Sequence, residues 1–290
     1  PTLAIPPPCS SEASGCQAPH PSLLQHFGMT ESMQLKGKVV LITGGTDGIG
    51  LAAAHAAGSL GAKVVVASRR QENVDKAVGE LKAKGVECLG IAAHAAKTED
   101  IARVVEDTVR HFGGLDHLFI NHAVSPGLMY MVNKMSPKVP LCTEEQWDKI
   151  FETNVKSFWL LVRAAMPHLK EGSSIVLNAS VGGYMPSPPT PVYAISKTAL
   201  LGMVKALAVE LGVKGIRVNG VAPGVIKTRL AGYQTSGKIA EERSNATFLK
   251  RLGEPREIGD AVAFLLSDAA SYLTGETLTI SGGMSTGSRL

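Results

Sequence analysis

Ser180, Tyr193 and Lys197 are residues whose types and spacing could do chemistry. Tyr193 and Lys197 stand four apart at the start of YAISKTALLGMVKALAVELG, where apolar positions recur at helical spacing. On a helix, i and i+4 share a face. A phenol titrates near about 10 unaided, so at neutrality it is a poor proton donor or base unless a nearby cation stabilises its anion. Lys197 is placed to be that cation, and Ser180, thirteen residues before Tyr193, adds a hydroxyl. Taken alone, a Tyr-x-x-x-Lys is most often a surface tyrosine beside a solvated lysine. Support must come from the elements that position it.

The first of these begins at Lys38. KVVLITGGTDGIGLAAAHAAGSLGAKVVVASRR reads as a β-branched run, a glycine turn, an Ala-rich helix and a second apolar run, which is one βαβ unit. Its turn, Thr43-Gly44-Gly45-Thr46-Asp47-Gly48-Ile49-Gly50, follows GxxxGxG rather than GxGxxG. Glycines there permit a tight turn and close approach of the backbone to a pyrophosphate at the helix N-terminus. The second strand, from Val64, ends in Ser68-Arg69-Arg70, where dinucleotide folds meet the adenosine ribose. No acid stands there to repel a 2′-phosphate, and Ser68 and Arg69 offer donors and charge suited to one, so NADP(H) is expected over NAD(H).

The alternation continues with a helix over 71–84, a strand over 86–92, a helix over 99–113 and a strand over 115–121. A long apolar connection follows, ending in a capping box from Thr143 to Gln146. Its Met and Leu residues line a pocket for an apolar substrate or, alternatively, pack on one another. The helical segment EEQWDKIFETNVKSFWLLVRAAMPHL carries Asn154 among core-like neighbours, and a buried amide needs partners. A fifth strand over 173–180 delivers Ser180 at its carboxyl end, where open α/β sheets bind ligands. The Tyr193 helix and a sixth strand over 216–224 come next.

Composition narrows the classes. The chain is 44% hydrophobic and 19% charged, as in soluble globular proteins, and its length suits one or two domains. A formal charge of +4, with no block of basic residues, argues against a nucleic-acid partner. No uninterrupted apolar run approaches the roughly 18–20 residues of a membrane span. Cys9, Cys16, Cys88 and Cys142 show no metal-ligand spacing, and the eight histidines are scattered, so no metal is expected. Residues 1 to about 34 are Pro/Ser-rich without periodicity and read as a disordered or loosely attached extension, with neither a secretory signal nor a basic transit peptide. Met29 and Met33 lie just ahead of the folded part, so the extension is an upstream-start product or a processed leader.

TGGTDGIG, Asn154, Ser180, the Tyr193/Lys197 pair and PGVIKT at 223–228 together resemble the short-chain dehydrogenase/reductase family, from about Leu35 to Gly283. SRRQENVDKAV, SKTALLG, RLGEP, YLTGET and the SRL terminus are similar to the peroxisomal NADPH-dependent carbonyl (retinal) reductase group. The resemblance implies one α/β Rossmann-type domain over 35–284, a doubly wound parallel sheet of about seven strands with helices on both faces, and TLTISGG over 277–283 as the last strand. It places Gly44, Gly48 and Gly50, with Thr46, Asp47 and Ile49, at the pyrophosphate, Ser68 and Arg69 at the 2′-phosphate, and Asn121 on the cofactor floor. Pro223, Gly224 and Ile226 follow, with Thr228 at the nicotinamide carboxamide. A homo-oligomer, tetramer or dimer, is implied as well. Two departures stand out: His94 where the family usually has Asp after the third strand, and Asn121-His122-Ala123 where it has Asn-Asn-Ala-Gly.

The implied reaction is NADPH-dependent reduction of a small-molecule carbonyl, in which Tyr193 donates a proton and Ser180 a hydrogen bond to the carbonyl oxygen. Lys197 would lower the Tyr193 pKa and bind the nicotinamide ribose, and Asn154 would hold a water that refills the proton. Residues 128–141, Met185, Leu230, Tyr233 and Phe248 are expected around the pocket mouth, favouring a hydrophobic aldehyde, ketone or dicarbonyl. A 3-oxoacyl thioester reductase and a non-catalytic NADP(H) sensor are the competing readings. Ser288-Arg289-Leu290 resembles a peroxisomal import signal read by a receptor, and is otherwise a frayed tail. Residues 285–290 are taken as that tail.

Overall fold

Seven short runs rich in Val, Ile and Leu become seven strands: β1 (Val39–Thr43), β2 (Lys63–Ser68), β3 (Cys88–Ala92), β4 (His117–Ile120), β5 (Ser174–Asn178), β6 (Arg217–Pro223) and β7 (Thr277–Ile280). They form one parallel sheet in the order β3-β2-β1-β4-β5-β6-β7. The computed structural model describes residues 29–125, 127–186 and 190–284. The Pro/Ser-rich stretch to residue 28, with Cys9 and Cys16, and the terminal Ser288-Arg289-Leu290 lie outside the described residues.

Every residue of β1, β4, β5 and β6 is buried, because a parallel sheet is covered on both faces. Successive side chains point to opposite sides. Val39, Leu41, Val65 and Ala67 pack with α4 (Thr98–Phe112), α6 (Ser157–Ala165) and α7 (Pro191–Gly212). Val40, Ile42, Val64 and Val66 pack with α2 (Gly48–Ser59), α3 (Gln71–Ala83) and α8 (Pro255–Leu266). Each such Val or Leu, fully buried, contributes roughly 1.5–3 kcal/mol. This is the single-domain, doubly wound architecture expected from the alternation of elements.

Some boundaries differ from the sequence reading. One helical turn, α1 (Met29–Ser32), stands inside the stretch read as extension, and Leu35 behind it is buried with its N–H on Leu60 O. β7 stops at Ile280 because Gly282 and Gly283 turn the chain with φ of +63° and +78°. The helix through Asn154 is three pieces: α5 (Glu144–Phe151), a π-helical turn at Glu152–Lys156, then α6. The capping box starting α5 is as read, with Gln146 N donating to Thr143 Oγ1 and Gln146 Oε1 accepting from Thr143 N. By length and composition α7 is apolar enough to cross a membrane, which a search for uninterrupted apolar runs misses because Lys197 and Lys205 break it. In the fold α7 is a core helix, with Val192, Leu200 and Val204 fully buried.

The strand order reverses between β1 and β4, and ligands of such sheets bind at the carboxyl ends beside that switch. The register brings the ends level: Thr43 pairs with Ala67 and Ile120, Ile120 with Leu177, and Asn178 with Val221.

Candidate active site

A cleft of about 1060 Å³ opens over these strand ends. At one end β1 passes into the glycine turn, where Gly44 and Gly48 take φ of +62° and +53°, values that favour glycine. Asp47 caps α2, its Oδ1 accepting from Gly48 N at 2.7 Å. Gly44, Thr46, Asp47, Gly48 and Ile49 line the cleft. Gly50 does not: a Cβ there would lie 2.1 Å from Gly44 O, so its hydrogen lets the turn fold onto α2 from behind.

Ser68 and Arg69 line the cleft beyond β2, and Pro223, Gly224, Ile226 and Thr228 line it beyond β6. The carboxylates of this end are already engaged. Asp47 pairs with Arg229 at 3.4 Å, and Asp100 accepts from Arg103 at 2.7 Å and from His94 N at 2.8 Å. His94 itself accepts from Ala96 N through Nδ1 at 3.2 Å, shaping the loop where an Asp was expected.

At the other end stands the proton-handling set. Ser180 is extended, with φ −173°, and caps the short turn Val181–Gly183, its Oγ accepting from Gly182 N at 3.1 Å. That turn lies against α7, since a Cβ on Gly183 would come within 2.9 Å of the Lys197 backbone. Tyr193 is the third residue of α7, and its phenol faces the same cleft as the Ser180 hydroxyl. Burial pushes the Tyr193 pKa up to about 12, the Ser180 hydroxyl pulls it back, and the Tyr233 phenol adds to the rise. Lys197, 1% exposed, donates to Asn178 O at 2.6 Å, and burial pulls it down to about 7.

Lys197 Nζ stands 5.7 Å from the Tyr193 ring centre, and burial is the largest influence on the phenol. One expectation is corrected here. Asn154 does not line the cleft. It is fully buried in the π-turn, its Oδ1 accepting from Val124 N at 2.8 Å and its Nδ2 donating to Val124 O at 3.0 Å and Ser196 Oγ at 3.1 Å. Both Nδ2 hydrogens are thereby used, and Oδ1 has one partner, Val124 N. Ser196 donates in turn to Tyr193 O at 2.6 Å, so Asn154 ties the loop after β4 to the first turn of α7.

Two residues that the sequence reading did not assign complete the floor. His122 is half-buried between Thr43 Oγ1 at 2.8 Å from Nδ1 and Ser157 Oγ at 2.7 Å from Nε2. Ser157 donates to Thr153 O at 2.6 Å, so it accepts from His122, which is therefore the neutral Nε2–H tautomer. Burial and the charge of Lys197 hold its pKa down to about 3. Asn178, at the end of β5, donates through Nδ2 to Asn121 Oδ1 at 2.7 Å, and Asn121, which lines the cleft, donates to Gly44 O at 3.0 Å. A polar residue closing the apolar run SSIVL was the available signal.

Met185, Leu230 and Tyr233 line the mouth as expected, but 128–141 and Phe248 do not. The loop folds on itself instead, with Tyr130 N on Pro140 O at 2.8 Å and Cys142 N on Tyr130 O at 2.7 Å. Met129 packs under it with Ile150 and Val192. Among the described residues no cluster of His, Cys, Asp and Glu could hold a metal.

Comparison with known proteins places the chain. Residues 44–285 match the family model described as Enoyl-(Acyl carrier protein) reductase. The chain is 43% identical over 251 residues to tropinone reductase-like 3 of Erythroxylum coca, covering 86% of this chain and 94% of that protein. It is 44% identical over 259 residues to dehydrogenase/reductase SDR family member 4 of Bos taurus, covering 88% and 90%. Among solved structures, a dehydrogenase/reductase from Sinorhizobium meliloti superposes with TM-score 0.80 at 31% identity, covering 89% of this chain and 99% of that one. A short-chain dehydrogenase from Burkholderia cenocepacia in complex with NADP does so with TM-score 0.78 at 30% identity, covering 87% and 99%. This chain belongs to the short-chain dehydrogenase/reductase family and is an oxidoreductase of the kind that uses a nicotinamide cofactor.

Proposed function

We propose that the protein reduces a hydrophobic aldehyde, ketone or dicarbonyl to an alcohol at the expense of NADPH. The observation that carries this is the joining of Ser180, Tyr193 and Lys197 on one wall of a cleft whose far end is the glycine turn. The residues fit the cofactor: a helix N-terminus faces the cleft, Ser68 and Arg69 stand beyond β2 without a free acid, and the floor carries buried polar side chains. Arg69 favours a 2′-phosphate, and the Burkholderia structure is named as an NADP complex.

When bound, the nicotinamide supplies the hydride. Tyr193 keeps its proton at neutral pH and hands it to the carbonyl oxygen as charge grows there, while the Ser180 hydroxyl turns to donate to the same oxygen. Lys197, held at about 7, is matched to return a proton to the Tyr193 phenolate near neutrality. Asn154 holds the loop after β4 against the first turn of α7. Met185, Leu230 and Tyr233 offer an apolar mouth with one phenol for a second polar group.

Trp159, 44% exposed with Arg163 over its ring, lies on α6 beside Phe151, Val155 and Met203, a face suited to a second copy of the chain. A monomeric mass in solution overturns that part of the reading.

The test of function is steady-state oxidation of NADPH, with NADH in parallel, across aromatic ketones, α-dicarbonyls, retinal and acetoacetyl thioester. Turnover of free carbonyls with NADPH is expected. Turnover of the thioester alone moves the protein to acyl metabolism, and binding without turnover makes it a sensor.

A further inference from the structure

Two amides and one ammonium leave one unpaired side-chain acceptor on the cleft floor among the described residues. Gly44 O can only accept, so Asn121 must present its Nδ2 to it, at 3.0 Å. Asn121 Oδ1 then faces Asn178 at 2.7 Å, and Asn178 must present Nδ2 in its turn. The orientation of both side chains is thereby fixed by a backbone carbonyl. What remains is Asn178 Oδ1, a buried atom with no hydrogen-bond partner among the described residues, on a residue that is 8% exposed and lines the cleft. The backbone oxygen of the same residue accepts from Lys197 Nζ at 2.6 Å. Asn178 also stands two residues before Ser180 at the end of β5, so the orphan acceptor sits within the catalytic floor.

Buried acceptors are ordinarily satisfied, and one left open inside a binding cleft marks where a donor arrives. The neighbours narrow the donor. Asn121 and Gly44 satisfy one another, and Lys197 already uses the Asn178 backbone oxygen. A carbonyl substrate has no proton to give there, whereas the ribose of a nicotinamide nucleotide carries two hydroxyls and water carries two protons.

We propose that Asn178 is a ligand-contact residue whose Oδ1 accepts a hydrogen bond from a hydroxyl beside Lys197, either a ribose hydroxyl of the nicotinamide nucleotide or a water from which Lys197 is recharged. This rests on the cleft being a nicotinamide-nucleotide site and not on the identity of the carbonyl substrate.

The experiment compares the wild-type protein with Asn178→Ala by titration calorimetry, using NADP+ and adenosine 2′,5′-bisphosphate, which lacks the nicotinamide riboside. If the donor is the ribose, NADP+ binds about 10-fold more weakly to the variant while the bisphosphate binds unchanged. If the donor is water, both affinities hold, and kcat falls several-fold with a larger solvent deuterium isotope effect. Unchanged affinities with unchanged kcat overturn the proposal, and so does equal weakening of both ligands, which reports only a collapsed Asn121 contact. In the wild-type protein, independently of how the variant folds, NADP+ should shift the Asn178 side-chain carbonyl resonance and the bisphosphate should not. A signal that does not move with NADP+ overturns the ribose form, and with an unchanged isotope effect it overturns both. Failure to bind either nucleotide defeats the nucleotide reading itself, whereas NADP+ binding that ignores Asn178 defeats only this inference.

Discussion

The floor and the mouth of the cleft are built in opposite ways. On the floor, Asn121, His122 and Asn178, with Asn154 behind them, are held by side chains or backbone from distant segments, at 2.7–3.2 Å, and among the described residues one acceptor there stays unpaired. Around the mouth, the side chains are largely apolar and open: Leu230 is 49% exposed, Met185 44% and Tyr233 39%. A proton donor loses its use if it drifts by an ångström, so the floor must be preorganised. Recognition of an apolar substrate needs surface more than direction, and exposed segments supply that while remaining free to vary. The expectation that residues 128–141 form the mouth failed because the loop closes on its own backbone, Tyr130 pairing with Pro140 and Cys142, and leaves Val132 and Met135 in solvent away from the cleft.

The contrast can be broken from either side. The largest effect is expected at Tyr193: Tyr193→Phe should lower kcat by roughly 10²–10⁴-fold with NADPH affinity nearly unchanged, in line with general-acid catalysis. Wild-type kcat in that variant would remove Tyr193 from the mechanism, and with it the reason for so ordered a floor.

Next comes pH. Burial holds His122 and His117 down to about 3 and about 4, so below about 6.5 the unfolded chain binds protons that the folded chain refuses. Stability therefore rises with pH through this window and is lost as pH falls from about 6.5 toward 3. Each histidine should cost roughly 2 kcal/mol between pH 6.5 and 5, read from urea midpoints. His122→Gln should flatten that slope; an unaltered slope would show that the imidazole does not titrate as its burial dictates.

Cofactor preference is a smaller effect. Arg69→Gln should raise the NADPH KM about 10-fold and leave that for NADH in place, the loss of one charge-assisted contact. Equal changes with both cofactors would deny a 2′-phosphate contact. Smallest of all, Leu230→Ser at the mouth should change KM among hydrophobic carbonyls by about 3- to 10-fold with kcat preserved, measured across a graded ketone series. A loss of kcat there would erase the difference between the two regions.

How much was legible follows from the range of each interaction. The glycine turn, the Thr143 capping box and the Tyr193/Lys197 spacing are local, so residue type and interval suffice to read them. The π-turn is nearly local yet invisible, because one added residue in a helical repeat leaves the apolar periodicity on either side intact. Gly50 was legible as a required glycine but not for its reason, which is a contact with Gly44 O inside the turn.

The sequence by itself determined the layered α/β fold, the strand ends where a site must lie and the residues able to move a proton, since all of these follow from periodicity and side-chain chemistry. Only the tertiary structure decided what those residues experience. Asn178 and Asn121 meet across 57 residues, and His122 reaches Ser157 across 35. Lys197 is desolvated by segments from the whole chain. Solvent exclusion and hydrogen-bond partnership belong to the packed assembly, and they set the proton affinities of Tyr193 and Lys197 and left Asn178 with an acceptor to offer.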